Sequence, residues 1–381
     1  MQRILFVITG IYKGGTEKSL INIINNLDIN KYEINILTVF KSDELDELHV
    51  NANKNYVLNY SESDLKILKK DSHNNLFKKG IKFLKVLKLH TKVLKECRKR
   101  KILEEEYDYI VDFSSFSWCD LVKKFKSGEK ITWVHGDPTK INKIYRMWYK
   151  ISLKKIDKII CVTNEVKMAI KKEFKYEGDI HTVYNLVDTK ELTKLSCDKI
   201  DYKKLYPIVI SIGRLSWEKD FKTLINAHKK VIDTGIKHEL IIIGDGEEYD
   251  NLIKLIKEKH VEDTVKLLGY KENPYPYLQI ADIFVCSSIS EGFSIAVLEA
   301  LMLNKAIIST NCKGPREILG YGKYGKIVEI RDENKLAESI TEVLNNRKVR
   351  EKMQMLSNER KKFFSEETII ESIDNIFSKI K

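Results

Sequence analysis

Residues 285–300, VCSSISEGFSIAVLEA, narrow the possible folds more than any other part of the chain. With Ile283 and Phe284 before it, Val285 ends a short continuous apolar run, the pattern of a strand buried on both faces. Ser287, Ser288 and Ser290 break the run, and Gly292 permits a sharp turn. Ile295, Ala296, Val297, Leu298 and Ala300 then suit a packed helix. A helix starting here aims the backbone N–H groups of Phe293 and Ser294, with the positive end of its dipole, at whatever lies above the strand end. Such a turn is a site for an anion.

The same succession of strand, turn and helix recurs along the 381 residues. Residues 4–8 lead into a loop holding Gly14 and Gly15, with Thr16 expected to cap, and Glu17 to open, a helix bearing Leu20, Ile23, Ile24 and Leu27. Residues 34–39, 109–113, 131–134 and 156–162 continue this series. A second series starts at 208–212 and runs through 239–243, 265–268, 306–309 and an edge strand at 326–328, followed by helices at 334–344 and 365–381. The weakly apolar loop after Asp188 separates the two series. Two tandem α/β series in a chain of this length predict two Rossmann-like, doubly wound domains, placed at 1–195 and 196–364.

Composition restricts the partners. Hydrophobic residues make up 43%, enough for two cores, yet no run nears the ~18 apolar residues of a membrane span. Residues 1–9 read as a first strand rather than a signal peptide. Six scattered cysteines with no C-x-x-C lead us to expect reduced thiols in a cytoplasmic protein. A net charge of +12 calls for an anionic partner. From Lys78 to Lys101, eleven Lys or Arg stand against one acid, Glu96. As a helix this stretch aligns Phe83, Leu87, Leu94 and Cys97 on one stripe and Lys78, Lys85, Lys88, Lys92, Lys95 and Lys99 on another. A membrane-surface helix and an outer helix with a solvated Lys face both fit, and the two are compatible.

Several residues could carry chemistry. Glu291 and Glu299 frame the opening turn, and an ionised carboxylate accepts the two hydrogen bonds that paired sugar hydroxyls offer. Eight residues of continuous helix turn by about 80°, which would leave both on one broad face. The alternative makes Glu291 a helix-entry carboxylate and Glu299 a solvated helix residue. His135 follows a strand end, where open α/β sheets bind ligands, although a lone histidine also serves as a structural residue. Arg214 and Lys219 straddle a turn after residues 208–212 and would suit a diphosphate. Gly14 and Gly15 either let backbone approach a ligand or form an ordinary first turn, since neither the dinucleotide fingerprint nor the P-loop motif occurs.

Taken together and in order, GGTE at 14–17, VHGD at 134–137, SIGRLSWEKDFKTLINA at 211–227, IIIGDGEEYDNL at 241–252, LLGY at 267–270 and EGFSIAVLEA at 291–300 resemble the retaining GT-B glycosyltransferases of family 4, the glycosyl transferases group 1. The resemblance implies two Rossmann-like domains facing across a cleft and a hexosyltransferase-type reaction that takes a sugar from a nucleotide sugar, expected to be a UDP-sugar. It gives Arg214 and Lys219 to the donor diphosphate, with Gly213, Gly292 and the backbone of Phe293 and Ser294 around it. Glu299 would take the ribose hydroxyls, Glu291 and His135 the transferred sugar, and the Tyr270 backbone the base. Gly14 and Gly15 would lie where the N-terminal domain meets donor and acceptor, and helix 365–381 would cross back to that domain. Leu186 departs from the pattern, standing where the family more often has glycine. No D-x-D triplet occurs, in keeping with fixed cations in place of a metal ion, so no metal or other cofactor is expected.

The implied acceptor is a hydroxyl of a glycan or lipid-linked saccharide in cell-surface polysaccharide synthesis, reached at the inner face of the cytoplasmic membrane through the helix from Lys78 to Lys101. Two other classes stay open. One is a nucleotide-sugar epimerase or phosphorylase of the same architecture. The other is a non-enzymatic basic adaptor for membrane or nucleic acid, although no nucleic-acid partner is expected.

Overall fold

The computed structural model describes residues 1–11, 14–41, 51–59 and 76–378, with side chains from Gly80 onward in the last stretch. It divides into two compact units, Met1–Tyr184 with the chain from Ile369 onward, and Asn185–Thr368. The first holds β1 (Gln2–Ile8), β2 (Tyr32–Phe40), β3 (Asn53–Leu58), β4 (Tyr109–Asp112), β5 (Glu129–Val134), β6 (Lys158–Cys161) and β7 (Asp179–Thr182). Its helices are α1 (Gly15–Asn26), α2 (Leu76–Lys99), α3 (Cys119–Val122), α4 (Lys143–Ser152) and α5 (Asn164–Phe174). The second unit holds β8 (Ile208–Ile212), β9 (Glu239–Ile243), β10 (Val265–Leu267), β11 (Ile283–Cys286), β12 (Ala306–Thr310) and β13 (Lys326–Val328). Around them lie α6 (Thr189–Ser196), α7 (Phe221–Asp233), α8 (Tyr249–Glu258), α9 (Tyr275–Ile280), α10 (Ile295–Met302), α11 (Lys313–Ile318), α12 (Glu333–Asn345) and α13 (Arg347–Arg360). The last helix is α14 (Glu366–Phe377).

Both sheets are parallel, with strand orders β3-β2-β1-β4-β5-β6-β7 and β10-β9-β8-β11-β12-β13. The central strands are largely apolar because helices cover both faces: Ile4 to Ile8, Ile208 to Ile210 and Leu240 to Ile243 are all buried. In each sheet the order reverses once, between β1 and β4 and between β8 and β11. Loops leaving those strand ends diverge and open a crevice, the usual ligand position of a doubly wound sheet. With the right-handed crossovers that parallel strands make as a rule, the order β4-β5-β6-β7 puts α3, α4 and α5 on one face of the first sheet, and Phe83 of α2 packs on α4 there.

The differences from the sequence reading have local causes. β3 lay hidden because Asn53, Lys54 and Asn55 are exposed at the sheet edge and carry no apolar alternation. Helix α1 starts at Gly15 with Gly14 at its N-cap, so Thr16 sits inside the first turn and caps nothing. On α2 the buried stripe is Val86, Leu89, His90, Val93 and Cys97, while Phe83, Leu87 and Leu94 are only half-buried. Residues 185–195 pack with the second unit, where Asn273 Nδ2 donates to Leu195 O at 2.9 Å. The end of α14 joins the first sheet: Phe377 packs on Tyr109 with ring centroids 4.8 Å apart, and Tyr32 OH donates to Asp374 at 3.0 Å. No described helix is long and apolar enough to cross a membrane.

Candidate functional site

At the switch point of the second sheet, the loops after β8 and β11 meet. Gly213 N donates to Ile243 O at 3.0 Å and Leu215 N to Asp245 O at 2.9 Å, which binds the β8 loop to the turn after β9. That approach requires glycine: a Cβ on Gly244, at φ +150°, would collide with Gly213 O. Asp220 then takes the left-handed conformation, φ 48°, and reverses the chain between a short turn, Trp217–Lys219, and α7. Its carboxylate is held there by Thr223 Oγ1 at 2.7 Å.

The reversal brings Lys219 Nζ into an ion pair with Glu291 Oε1. Ser288 Oγ donates to the same carboxylate oxygen at 2.9 Å, and Ser287 Oγ donates to Lys219 O at 2.8 Å. The side chains of Lys219 and Glu291 are 25% and 10% exposed. Burial, the largest single influence, would lower the pKa of Lys219, but the charge and hydrogen bond of Glu291 together with the Cys286 and Cys312 thiols outweigh it and hold the ammonium above its usual value, so Lys219 is a fixed cation. A small, open-sided hollow lies here, lined by Ser211, Lys219, Ser287, Ser288, Glu291 and Ser294 among others. Gly213 borders it, about 3.4 Å separating Lys219 Cε from the place of a Cβ. Arg214, in the same loop, is exposed and its side chain has no partner among the described residues.

Helix α10 begins at Ile295 with Ser294 at its N-cap, so Ser294, and not the preceding Phe293, stands at the positive helix end. The turn is braced by α11: Gly314 N donates to Glu291 O at 3.2 Å, and a Cβ on Gly314 would lie 2.7 Å from Gly292 O. Because Glu291 precedes the helix, the rotation expected for a continuous helix does not apply to the two glutamates. Glu291 faces Lys219, whereas Glu299 is 5% exposed and accepts from Tyr275 OH of α9 at 2.8 Å. Glu299 is therefore no solvated helix residue. Tyr270 is exposed in the loop after β10, beyond Gly269 at φ +69°.

In the first unit, the loops after β1, β4 and β5 interlock at the carboxyl edge. Thr9 N donates to Ser114 Oγ at 3.0 Å, and His135 N to Ser115 Oγ at 2.8 Å. Ser115 and Phe116 are consecutive left-handed residues, φ 53° and 71°, a strained arrangement held by its surroundings. The His135 ring lies against Phe113, centroids 4.4 Å apart, and neither ring nitrogen has a hydrogen-bond partner among the described residues. Burial pushes its pKa down to about 3, so the ring is neutral and offers one donor and one acceptor. A buried nitrogen without a partner costs ~1–3 kcal/mol until something bonds to it. Gly14 and Gly15 are exposed at the start of α1.

Lys219, Glu291, Gly213 and Ser294 are thus gathered around one hollow, Glu299 is held next to Tyr275, and His135, Gly14 and Gly15 belong to the other unit. Ser288 and Tyr275 were not singled out from sequence. Ser288 stood only as a breaker in a serine run, and nothing marks Tyr275, between two prolines, as a carboxylate partner. Nor did sequence bring together Cys286, at the end of β11, and Cys312, just after β12, both buried thiols. The neighbouring Cys312 holds the Cys286 thiol below its usual value.

Residues 198–362 match the family model for Glycosyl transferases group 1, and residues 13–191 match that for Glycosyltransferase Family 4. An uncharacterized glycosyltransferase of Methanocaldococcus jannaschii is 31% identical over 327 residues, 78% of this chain and 80% of that protein. The N-acetylgalactosamine-N,N'-diacetylbacillosaminyl-diphospho-undecaprenol 4-alpha-N-acetylgalactosaminyltransferase of Campylobacter jejuni is 33% identical over 183 residues, 48% of this chain and 49% of that one. A Staphylococcus aureus TarM variant, solved with fondaparinux, alpha-GlcNAc-glycerol and UDP, shares the fold with a TM-score of 0.76 at 18% identity, over 99% of this chain and all of that one.

Proposed function

The chain belongs to the GT-B glycosyltransferases of the group 1 and family 4 type, and we propose that it moves a sugar from a UDP-sugar, with retention, to a hydroxyl of a glycan or lipid-linked saccharide in cell-surface polysaccharide synthesis. One observation carries this reading: the part-buried Lys219–Glu291 pair at the second switch point, opening on a hollow, with unpaired Arg214 in the same loop. A diphosphate at ~4 Å from one such cation gains about 4 kcal/mol at an effective dielectric near 20, before desolvation. The UDP in the TarM complex supports the choice of base, and the undecaprenol in the name of the Campylobacter relative supports a lipid-linked acceptor.

In this mechanism Lys219, Arg214 and the helix end at Ser294, with the Gly292 and Phe293 backbone beside it, stabilise the negative charge that grows on the departing diphosphate. Glu291 keeps Lys219 in place and accepts from hydroxyls of the transferred sugar. Glu299, already fixed by Tyr275, accepts from the ribose hydroxyls, and the Tyr270 backbone meets the base. His135 gives a neutral N–H and a lone pair to the sugar, while Gly14 and Gly15 leave room for donor and acceptor. The leaving phosphate oxygen takes the acceptor proton on the face from which the sugar departs, so no separate base is needed. Arg214 and Lys219 supply the charge that a metal ion would otherwise bring, and EDTA is expected to leave the rate unchanged.

The test is a panel of UDP- and GDP-sugars with saccharide acceptors, the product anomer read by NMR. An α-configured donor should give an α-linked product. A β product removes retention, turnover of GDP-sugars alone removes the uridine donor, and epimerisation without acceptor replaces the transferase reading.

A further inference from the structure

Helix α4 has an outward face that the proposed reaction does not use. Its exposed residues recur at helical spacing, Lys143, Met147, Lys150 and Ile151, with Lys154 and Lys155 just beyond its end. Met147 and Ile151 are 66% and 59% exposed, unusual for two long apolar side chains one turn apart. The inward side is packed: Tyr145 and Trp148 close on Phe83 of α2, with ring centroids 5.4 and 5.6 Å apart, and Trp148 meets His90 at 4.8 Å. Next to α4 on the same layer, α2 exposes Leu84, at 59%, and Ile81 among Lys85, Lys88, Lys92 and Lys95.

The charge is concentrated here. Residues 138–156 hold six Lys or Arg and no acid; Arg146 is taken up by Glu173 of α5, and the five lysines form no ion pair among the described residues. Together with residues 78–101, that makes seventeen cations against one acid, a surplus of sixteen where the whole chain carries only +12. The remaining residues are therefore net acidic, and the basic character of the protein belongs to this layer.

We propose that α4 and α2 form a bilayer-docking face, on which Met147, Ile151 and Leu84 enter the interfacial layer of an anionic membrane while the flanking lysines meet headgroup phosphates. Lysines alone would also suit a nucleic acid. The aliphatic side chains between them decide the matter, because single strands are bound by stacking on aromatic rings and a duplex takes an apolar side chain only as a wedge that unstacks and kinks it, whereas a bilayer takes Met147 and Ile151 together without such a cost. Only seven residues join His135 to the start of α4, so docking through this helix would hold the β5 end near the lipid surface. This purpose rests on the lipid-linked acceptor proposed above, and the docking itself does not.

The experiment is flotation of the full-length protein with phosphatidylglycerol/phosphatidylcholine vesicles and with pure phosphatidylcholine vesicles, at low and high salt. The wild type should float at least ~10-fold better with the anionic vesicles, and less so as salt rises. Met147→Asp/Ile151→Asp should lose at least ~10-fold in flotation even at low salt while keeping its melting temperature and its thermal shift with UDP, since both sites face solvent. Lys150→Gln/Lys154→Gln should lose only the salt-sensitive part. Equal flotation of wild type and the Asp double variant overturns the proposal. So does binding to RNA or DNA without binding to vesicles, or a wild-type dimer in light scattering that the Asp variant converts to monomer without lipid. Loss of the UDP response would count against the donor reading alone, because flotation is measured without donor.

Discussion

The two switch points share one topology and differ in chemistry. At β8 and β11 the loops assemble a paired cation and carboxylate, Lys219 and Glu291, with Ser288 on the same oxygen. Beside the first switch point, at the end of β5, stands a neutral ring, His135, packed on Phe113 and short of hydrogen bonds among the described residues. The charge proposed to meet a diphosphate is in place before any ligand arrives, so little reorganisation is left for the proposed reaction. The histidine is completed only by what binds to it. One strand order therefore supports a preset half and an unfinished half, and the difference lies in which side chains the loops carry.

Removing the cation should have the strongest effect on this contrast. Lys219→Ala strands Glu291 without its partner and is expected to lower kcat/KM by ~10²–10³-fold, the scale for one preorganised donor. A purified, folded variant turning over as fast as wild type would take Lys219 out of the charged half.

Acid should weaken both units. His228 bonds His238 Nε2 at 2.8 Å and Thr264 Oγ1 at 2.9 Å in the second unit, and burial lowers it to about 2. In the first unit His90 stacks on Trp118, and burial lowers it to about 4. Both folded values lie below that of the unfolded chain, so the unfolded chain takes up more protons as pH falls. Stability is complete above about pH 6.5 and declines below it, by about 2 kcal/mol per histidine near pH 5. Denaturant melts near neutrality and near pH 5 measure this, and His228→Gln should reduce the slope by one proton. An unchanged slope would mean that the ring is protonated in the folded protein.

His135→Ala tests the unfinished half. We expect kcat to fall by ~10-fold, with UDP affinity by calorimetry within ~2-fold of wild type. An equal loss of UDP affinity would make His135 part of the charged half and erase the contrast. The smallest effect is expected from Tyr275→Phe, which deletes one hydrogen bond to buried Glu299, about 1 kcal/mol, and should raise KM for the donor by a few-fold with kcat unchanged.

Much of this architecture could be read locally. Strands β8, β9 and β11 stand out because a parallel strand covered on both sides is apolar over most of its length, interrupted here only by Ser211 and Glu239. The edge strand β3 does not, since pairing with β2, not its own pattern, holds it in place. The site was legible in part. Arg214, Lys219, Glu291 and Glu299 were found through the order of their motifs, but the bland reading of Glu299 as solvated could be discarded only once α9 brought Tyr275 to it. Of the stripe read on α2 only Cys97 is buried, and the covered face is Val86, Leu89, His90 and Val93, because tertiary partners such as Trp118 and Trp148, which enclose His90, choose the side of the helix that packs.

From its residues alone, the chain determined two doubly wound sheets and the turns that end their strands, because hydrophobic periodicity, glycine and serine act within a few residues of themselves. Only the tertiary structure decided that Lys219 meets Glu291, 72 residues away, and that Tyr275 meets Glu299. Such pairs exist because β8 and β11 become neighbours when the sheet reverses its order. Side-chain partnership depends on distance in space, and periodicity along the chain carries no record of it.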